Sequence, residues 1–156
     1  MTKEEFAKVH PLACAWAREQ QQLILAGGVL LTAAQLADAE LAGVEHPRRV
    51  RLMSVSLIPM PTHAVLRDAI LRTRFITPQT AGLALQYGIY IRTDWWQIRR
   101  MVVHELAHVA QFERLGGIEP FLEQYLWECF TFGYPNGPLE QEALQVEQRV
   151  CGPKSF

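Results

Sequence analysis

Apolar residues in this chain fall at helical spacing in some stretches and alternate in others, and those two periods divide the chain into elements. Thr2 with Glu5, and Thr32 with Gln35, have the capping-box pattern that opens a helix, with Gly27-Gly28 and Gly43 as the stops. His10-Pro11 is expected to interrupt the first of these helices. Val50 to Ile58 reads as a strand closed by Pro59-Met60-Pro61, followed by a short helix from about His63 to Arg72. Between Ala81 and Arg92, Leu83, Leu85, Tyr87, Ile89 and Ile91 alternate with smaller or more polar residues, which predicts one strand. Trp96, Ile98, Met101, Val102, Leu106, Val109, Ala110 and Phe112 then return to helical spacing. Asp94 followed by Gln97 resembles a capping box for that helix, and Gly116-Gly117 supplies a left-handed end. A further helix over Ile118 to Phe130 precedes the breaker-rich turn at residues 133–138. Asn136 can cap, and Pro138 can open, a last helix to about Val150.

These elements predict an α+β fold that is mainly helical, with a small twisted sheet packed on the helix around residues 96–112. Residues 1–45 would form a helical N-terminal part of a single domain, 1–156, and residues 46–156 the sheet and the later helices. A length of 156 residues with 49% hydrophobic content suits one compact domain with a substantial core. Acidic Glu4 and Glu5 stand where a secretory leader would be basic, and the apolar run from Leu23 to Leu31 is too short to span a bilayer. The expectation is a cytoplasmic protein that does not use a membrane. Cys14, Cys129 and Cys151 form an odd, widely spaced set, which argues against a disulfide framework and against a cysteine zinc site.

Charge is uneven. Residues 46–100 hold nine arginines against two acids, and residues 101–156 hold eight glutamates against three bases, although the formal net charge is only -1. Pairing between these halves is the plain expectation, and an arginine-lined cleft or a nucleic-acid surface the sharper one. Scarce lysine, a pI of about 6.5 and the lack of a nucleic-acid motif count against the last. Phosphate-binding glycine loops and a Gly-x-Ser-x-Gly elbow are also missing from the sequence.

The chemistry is concentrated in His104-Glu105-Leu106-Ala107-His108, inside the helix predicted over residues 96–112. Positions i and i+4 share a helical face, so the two imidazoles can each give a nitrogen to one ion about 2 Å away. Glu105 lies beside that face, placed to take a proton from a water activated by the metal. A third ligand should come from the last helix, where Glu140 or Glu142 can complete a two-His, one-Glu set with an open position. These glutamates lie about 200° apart around a helix, so only one can face the ion.

Val103-His104-Glu105-Leu106-Ala107-His108-Val109-Ala110-Gln111, Leu115-Gly116-Gly117 and Leu139-Glu140-Gln141-Glu142-Ala143 together resemble the gluzincin metallopeptidases. The likeness is closest to small bacterial domains of unknown function that carry His-Glu-Leu-x-His-x-x-Gln. It implies a zincin-like fold, one Zn²⁺ per chain, Glu140 as the third ligand and Glu142 as runner-up. Many gluzincins place an Asp or Asn four residues after the ligand to orient a motif histidine. Leu144 stands there, leaving Glu142, Glu147 or a backbone carbonyl to take that place.

The expected function is therefore zinc-dependent hydrolysis of peptide bonds. His104, His108 and Glu140 would hold the metal, and Glu105 would act as general base and later protonate the leaving amine. A peptide or protein substrate would lie along the strand at residues 81–92 by strand addition. Tyr134 is the nearest candidate to stabilise an oxyanion, with packing on the core as its plainer role. His63, Arg92, Arg99 and Arg100 are weaker candidates, while His10 and His46 each precede a proline in loop-like surroundings. A zinc-binding interaction or sensor module without turnover is the alternative, and an anionic-partner binder built on the arginine-rich middle a third. A homo-oligomer or a protein partner fits the apolar content.

Overall fold

Two capping boxes open the N-terminal helices of the computed structural model, which describes residues 1–154. Thr2 N–H donates to Glu5 Oε2 at 2.9 Å and Glu5 N–H to Thr2 Oγ1 at 3.1 Å, starting α1 (Lys3–Gly27). Thr32 and Gln35 exchange the same pair of bonds at 2.9 and 3.2 Å to start α2 (Ala33–Leu41). Caps of this kind contribute about 1 kcal/mol each by satisfying end amides. Pro11 does not interrupt α1, contrary to expectation. Its ring faces solvent, while Val9, Ala13, Cys14, Ala17 and Ile24 bury one continuous face on both sides of it. A mid-helix proline costs about 3 kcal/mol, and burying Val9 and Ile24 at about 1.5–3 kcal/mol each, with the smaller Ala13, Cys14 and Ala17 adding to it, outweighs that cost.

The remaining elements are β1 (Val29–Leu30), β2 (Arg51–Val55), α3 (Ala64–Thr73), β3 (Gly82–Leu85), β4 (Gly88–Arg92), α4 (Arg99–Leu115), α5 (Ile118–Phe132) and α6 (Pro138–Cys151). The architecture is α+β, a single domain in which, among the described residues, six helices pack around a four-stranded mixed sheet. Strand order is β1-β2-β4-β3, with β2 and β4 parallel and the other pairs antiparallel. β1 belongs to the N-terminal part, so residues 1–45 contribute an edge strand as well as helices.

The single strand expected over Ala81–Arg92 is instead the hairpin β3–β4, turning at Gln86-Tyr87 with Gln86 at φ 62°. Both strands are buried almost throughout, so the apolar alternation that suggested one strand marks two buried ones. Arg92 N–H donates to Ala81 O at 2.8 Å, which makes 81/92 a hydrogen-bonded pair. By alternation the N–H and C=O groups of Gly82 and Ala84 point away from β4, to the side where no other strand pairs.

α4 lies against this outer strand and packs along α6. It begins at Arg99 rather than at Asp94, because the Asp94 carboxylate is held by Arg92 at 2.6 and 3.0 Å and residues 93–95 form a 3₁₀ turn. Gly116, at φ 105°, ends it in the expected left-handed conformation. Pro138 opens α6 as expected, but Asn136 does not cap it. Glu128 of α5 does so, accepting Leu139 N–H at 2.7 Å. Among the described residues no helix is long and apolar enough to cross a membrane.

Candidate metal centre

α4 and α6 bring His104, His108 and Glu140 together, with one ligand atom from each lying within 4.8 Å of the others. His104 Nε2 is 2.7 Å from Glu140 Oε1, and His108 Nε2 is 3.0 Å from Glu140 Oε2. The imidazoles meet edge to face with centroids 4.9 Å apart, as i and i+4 positions on one helix allow. All three side chains are largely shielded from solvent.

The other ring nitrogens are already committed. His104 Nδ1 lies 3.3 Å from Glu147 Oε2, a carboxylate that can only accept, so Nδ1 carries the proton. His108 Nδ1 lies 2.8 Å from Gln111 Oε1. The Gln111 amide group donates to Leu139 O at 2.8 Å and to Glu142 Oε1 at 3.1 Å, which fixes its carbonyl toward the histidine. Both Nε2 atoms therefore aim at the oxygens of one carboxylate. Such an arrangement is repulsive unless a cation stands between, either a second proton on each ring or one divalent ion shared by all three groups. The donor set of two imidazoles and a carboxylate, with the far nitrogens oriented by acceptors, fits zinc.

The carboxylates also favour the proton as that cation. Burial opposes the charge on His104, but the Glu140 and Glu147 carboxylates carry its pKa up to about 10. Burial likewise opposes ionisation of Glu140, and the two imidazoles hold it well below the usual carboxylate range. Glu147 is lowered by His104. Tyr125 O–H donates to Glu140 Oε2 at 2.8 Å, adding a further hold on that carboxylate.

Glu105 stays out of the donor set. Desolvation raises its pKa, and the nearby histidines and the Ala84 backbone oppose that rise. It borders a narrow cavity with His104, His108, Glu140, Gly82 and Tyr134. Gly82 is what lets it stand there: a Cβ on that residue would come within 2.9 Å of Glu105 Oε1 and 2.8 Å of Met101 Sδ. The position suits a carboxylate that accepts a proton from a water beside the donor set.

Of the other residues singled out, Glu142 faces away and pairs with Arg114 at 2.9 Å. Glu147 takes the orienting place that Leu144 vacates, and Gln111 takes it for the second histidine. Tyr134 lines the cavity and is 46% exposed, so it is not a core residue. Arg100 backs the site, lying 3.6 Å from Glu147 Oε1, whereas Arg92 pairs with Asp94 and Arg99 with Asp38. Among the described residues Arg100–Glu147 is the one ion pair that joins the arginine-rich and glutamate-rich halves; Arg72 and Arg92 pair within their own half, Arg114 within the other, and Arg99 with Asp38 of α2. His10 binds Glu119 O, and His63 sits at the start of α3. His46 groups with Glu45 and Glu113, but the Glu113 carboxylate is filled by two backbone amides and the Tyr87 hydroxyl. All three cysteines are free thiols.

Sequence reasoning missed the roles of Gln111 and Tyr125. Gln111 was open to detection, since i+3 from His108 places it on the same face. Tyr125 comes from a different helix, and no spacing rule points to it. No family model, curated protein or solved structure matches this chain.

Proposed function

We propose that the protein is a zinc-dependent hydrolase of peptide bonds, of gluzincin type, with His104, His108 and Glu140 as the metal ligands and Glu105 as general base. The observation that carries this reading is the convergence of both Nε2 atoms on Glu140 while both Nδ1 atoms are engaged elsewhere. Zinc held there supplies Lewis acidity, making water nucleophilic at neutral pH and polarising a carbonyl.

The chain's own residues do the rest. Glu105, desolvated and lining the cavity, accepts the proton of the attacking water and returns it to the leaving amine. The outward-facing backbone groups of Gly82 and the Ala84 carbonyl offer hydrogen bonds to an extended peptide, which would add to β3 as an outer strand. Tyr134, at the cavity wall and exposed, is the available hydroxyl donor for a developing oxyanion.

Substituting Glu105→Gln tests the reading. Zinc content stays unchanged while turnover of a peptide mixture, followed by mass spectrometry, falls by at least about 10²–10⁴-fold. Equal activity in wild type and variant would remove Glu105 from the mechanism. The arginine-rich middle supports a nucleic-acid role less well, since Arg49 lies over the Tyr87 ring and Arg72, Arg92 and Arg99 are paired with acids.

A further inference from the structure

α5 gives no ligand to the metal centre, yet two of its residues hold Glu140. Tyr125 and Glu128 stand at i and i+3 on its buried face. Glu128 accepts Leu139 N–H at 2.7 Å, which fixes the backbone just before Glu140, and the Tyr125 hydroxyl donates to Glu140 Oε2 at 2.8 Å. The Tyr125 ring has little freedom to carry that hydroxyl elsewhere. It is 7% exposed, stacks on Phe121 with centroids 5.3 Å apart, and is met edge-on by Phe75 at 5.5 Å and by His108 at 5.6 Å.

The hydroxyl makes the two oxygens of Glu140 unequal. Among the described residues Oε1 has one close polar partner, His104 Nε2 at 2.7 Å, whereas Oε2 has both His108 Nε2 at 3.0 Å and the Tyr125 hydroxyl. An imidazole that ligates a metal through Nε2 has no proton there to give. With both histidines ligating, Tyr125 is the one donor left to the carboxylate, and it sits on Oε2. Oε1 is then the oxygen without a partner, free for the ion. A glutamate can ligate through one oxygen or through both, and catalytic zinc needs a position kept open beside its three protein ligands. The cavity bordered by Glu105, Glu140 and Tyr125 leaves about 40 Å³ open to the centre of a water, and one water needs about 10–15 Å³ by this measure, so an ion and its water fit there. Space is therefore present, and the number of oxygens Glu140 commits decides whether the ion can take a water in it.

We propose that Tyr125 is a positioning residue: by holding Glu140 Oε2 it restricts the carboxylate to ligation through Oε1 alone, and so keeps the fourth position for the water that Glu105 faces. This rests on the metal-centre reading above and concerns ligation, so it holds whatever bond is cut.

The test puts cobalt(II) in place of zinc in wild type and in Tyr125→Phe, which removes the hydroxyl and keeps the ring. The visible absorption of cobalt reports its coordination number, four-coordinate centres absorbing more strongly than five-coordinate ones. Wild type should give the strong four-coordinate spectrum. Tyr125→Phe should still bind one cobalt per chain but give the weaker five-coordinate spectrum, and kcat of its zinc form on a peptide mixture should fall about 10–100-fold with KM little changed. A crystal structure of zinc-loaded wild type needs no variant, and should show Oε1 alone on the ion with Tyr125 still on Oε2. Both oxygens on the ion in wild type, or a Tyr125→Phe spectrum identical to that of wild type, would overturn this proposal and leave the metal centre standing. The expected change of spectrum with no peptide cut by either protein would uphold it and overturn the peptidase reading. Wild type that takes up neither metal would overturn both.

Discussion

At the scale of single residues, the account turns on which nitrogen of each histidine is free. Gln111 decides this for His108, because its own amide is held by Leu139 O and Glu142 and cannot readily turn. Gln111→Ala should leave the fold intact and weaken zinc about 10–100-fold, measured by competition with a chromogenic chelator. Unchanged affinity would show that His108 needs no such hold. Glu142→Ala should cost less, since Glu142 reaches the metal centre only through Gln111. The histidines and Glu105 were legible in the sequence because i and i+4 on one helix is a local relation that survives folding. Choosing between Glu140 and Glu142 depended on how α6 is rotated against α4, a tertiary fact that spacing alone leaves open.

At the scale of elements, the centre depends on two joints. One is β3 against α4, where Gly82 leaves no side chain between the strand and Glu105. Gly82→Ala should displace Glu105 or Met101, lowering turnover far more than zinc content; a variant with wild-type turnover would contradict this packing. The other joint is the start of α6. Gly137 has no side chain to cap with, and Glu128 from α5 does the capping, so one buried carboxylate fixes the helix turn that presents Glu140. Glu128→Ala should cost about 1–3 kcal/mol by leaving a buried amide unsatisfied. Glu128→Gln, which keeps an acceptor, should cost less, and thermal denaturation of the pair checks it. Neither joint was readable from sequence. Asn136 looked like the cap because residue type is a local signal, whereas Glu128 reaches α6 from another helix. The β3–β4 hairpin was likewise read as one strand because Gln86-Tyr87 is not a turn-type dipeptide, its positive φ being carried by a glutamine.

At the scale of the whole molecule, α4 and α6 are separated in the chain by α5 and meet in a core that also carries the sheet. A ligand that binds only this folded arrangement must stabilise all of it. Zinc at about 100 times its dissociation constant should add about 2.7 kcal/mol, raising the melting temperature by roughly 5–10 °C, and a chelator should reverse the shift. The α+β class, the capping boxes of α1 and α2 and the glycine end of α4 were legible because they depend on short-range pattern. Strand order and the unbroken α1 were not, because distant partners decide them.

The most direct measurement is metal content by elemental mass spectrometry on protein purified without added metal and after supply of zinc, beside Glu140→Ala and Glu142→Ala. The account predicts about one zinc per chain in wild type and in Glu142→Ala, and its loss in Glu140→Ala. Wild-type protein that holds no zinc even when supplied, or a Glu140→Ala variant that retains it fully, would contradict it.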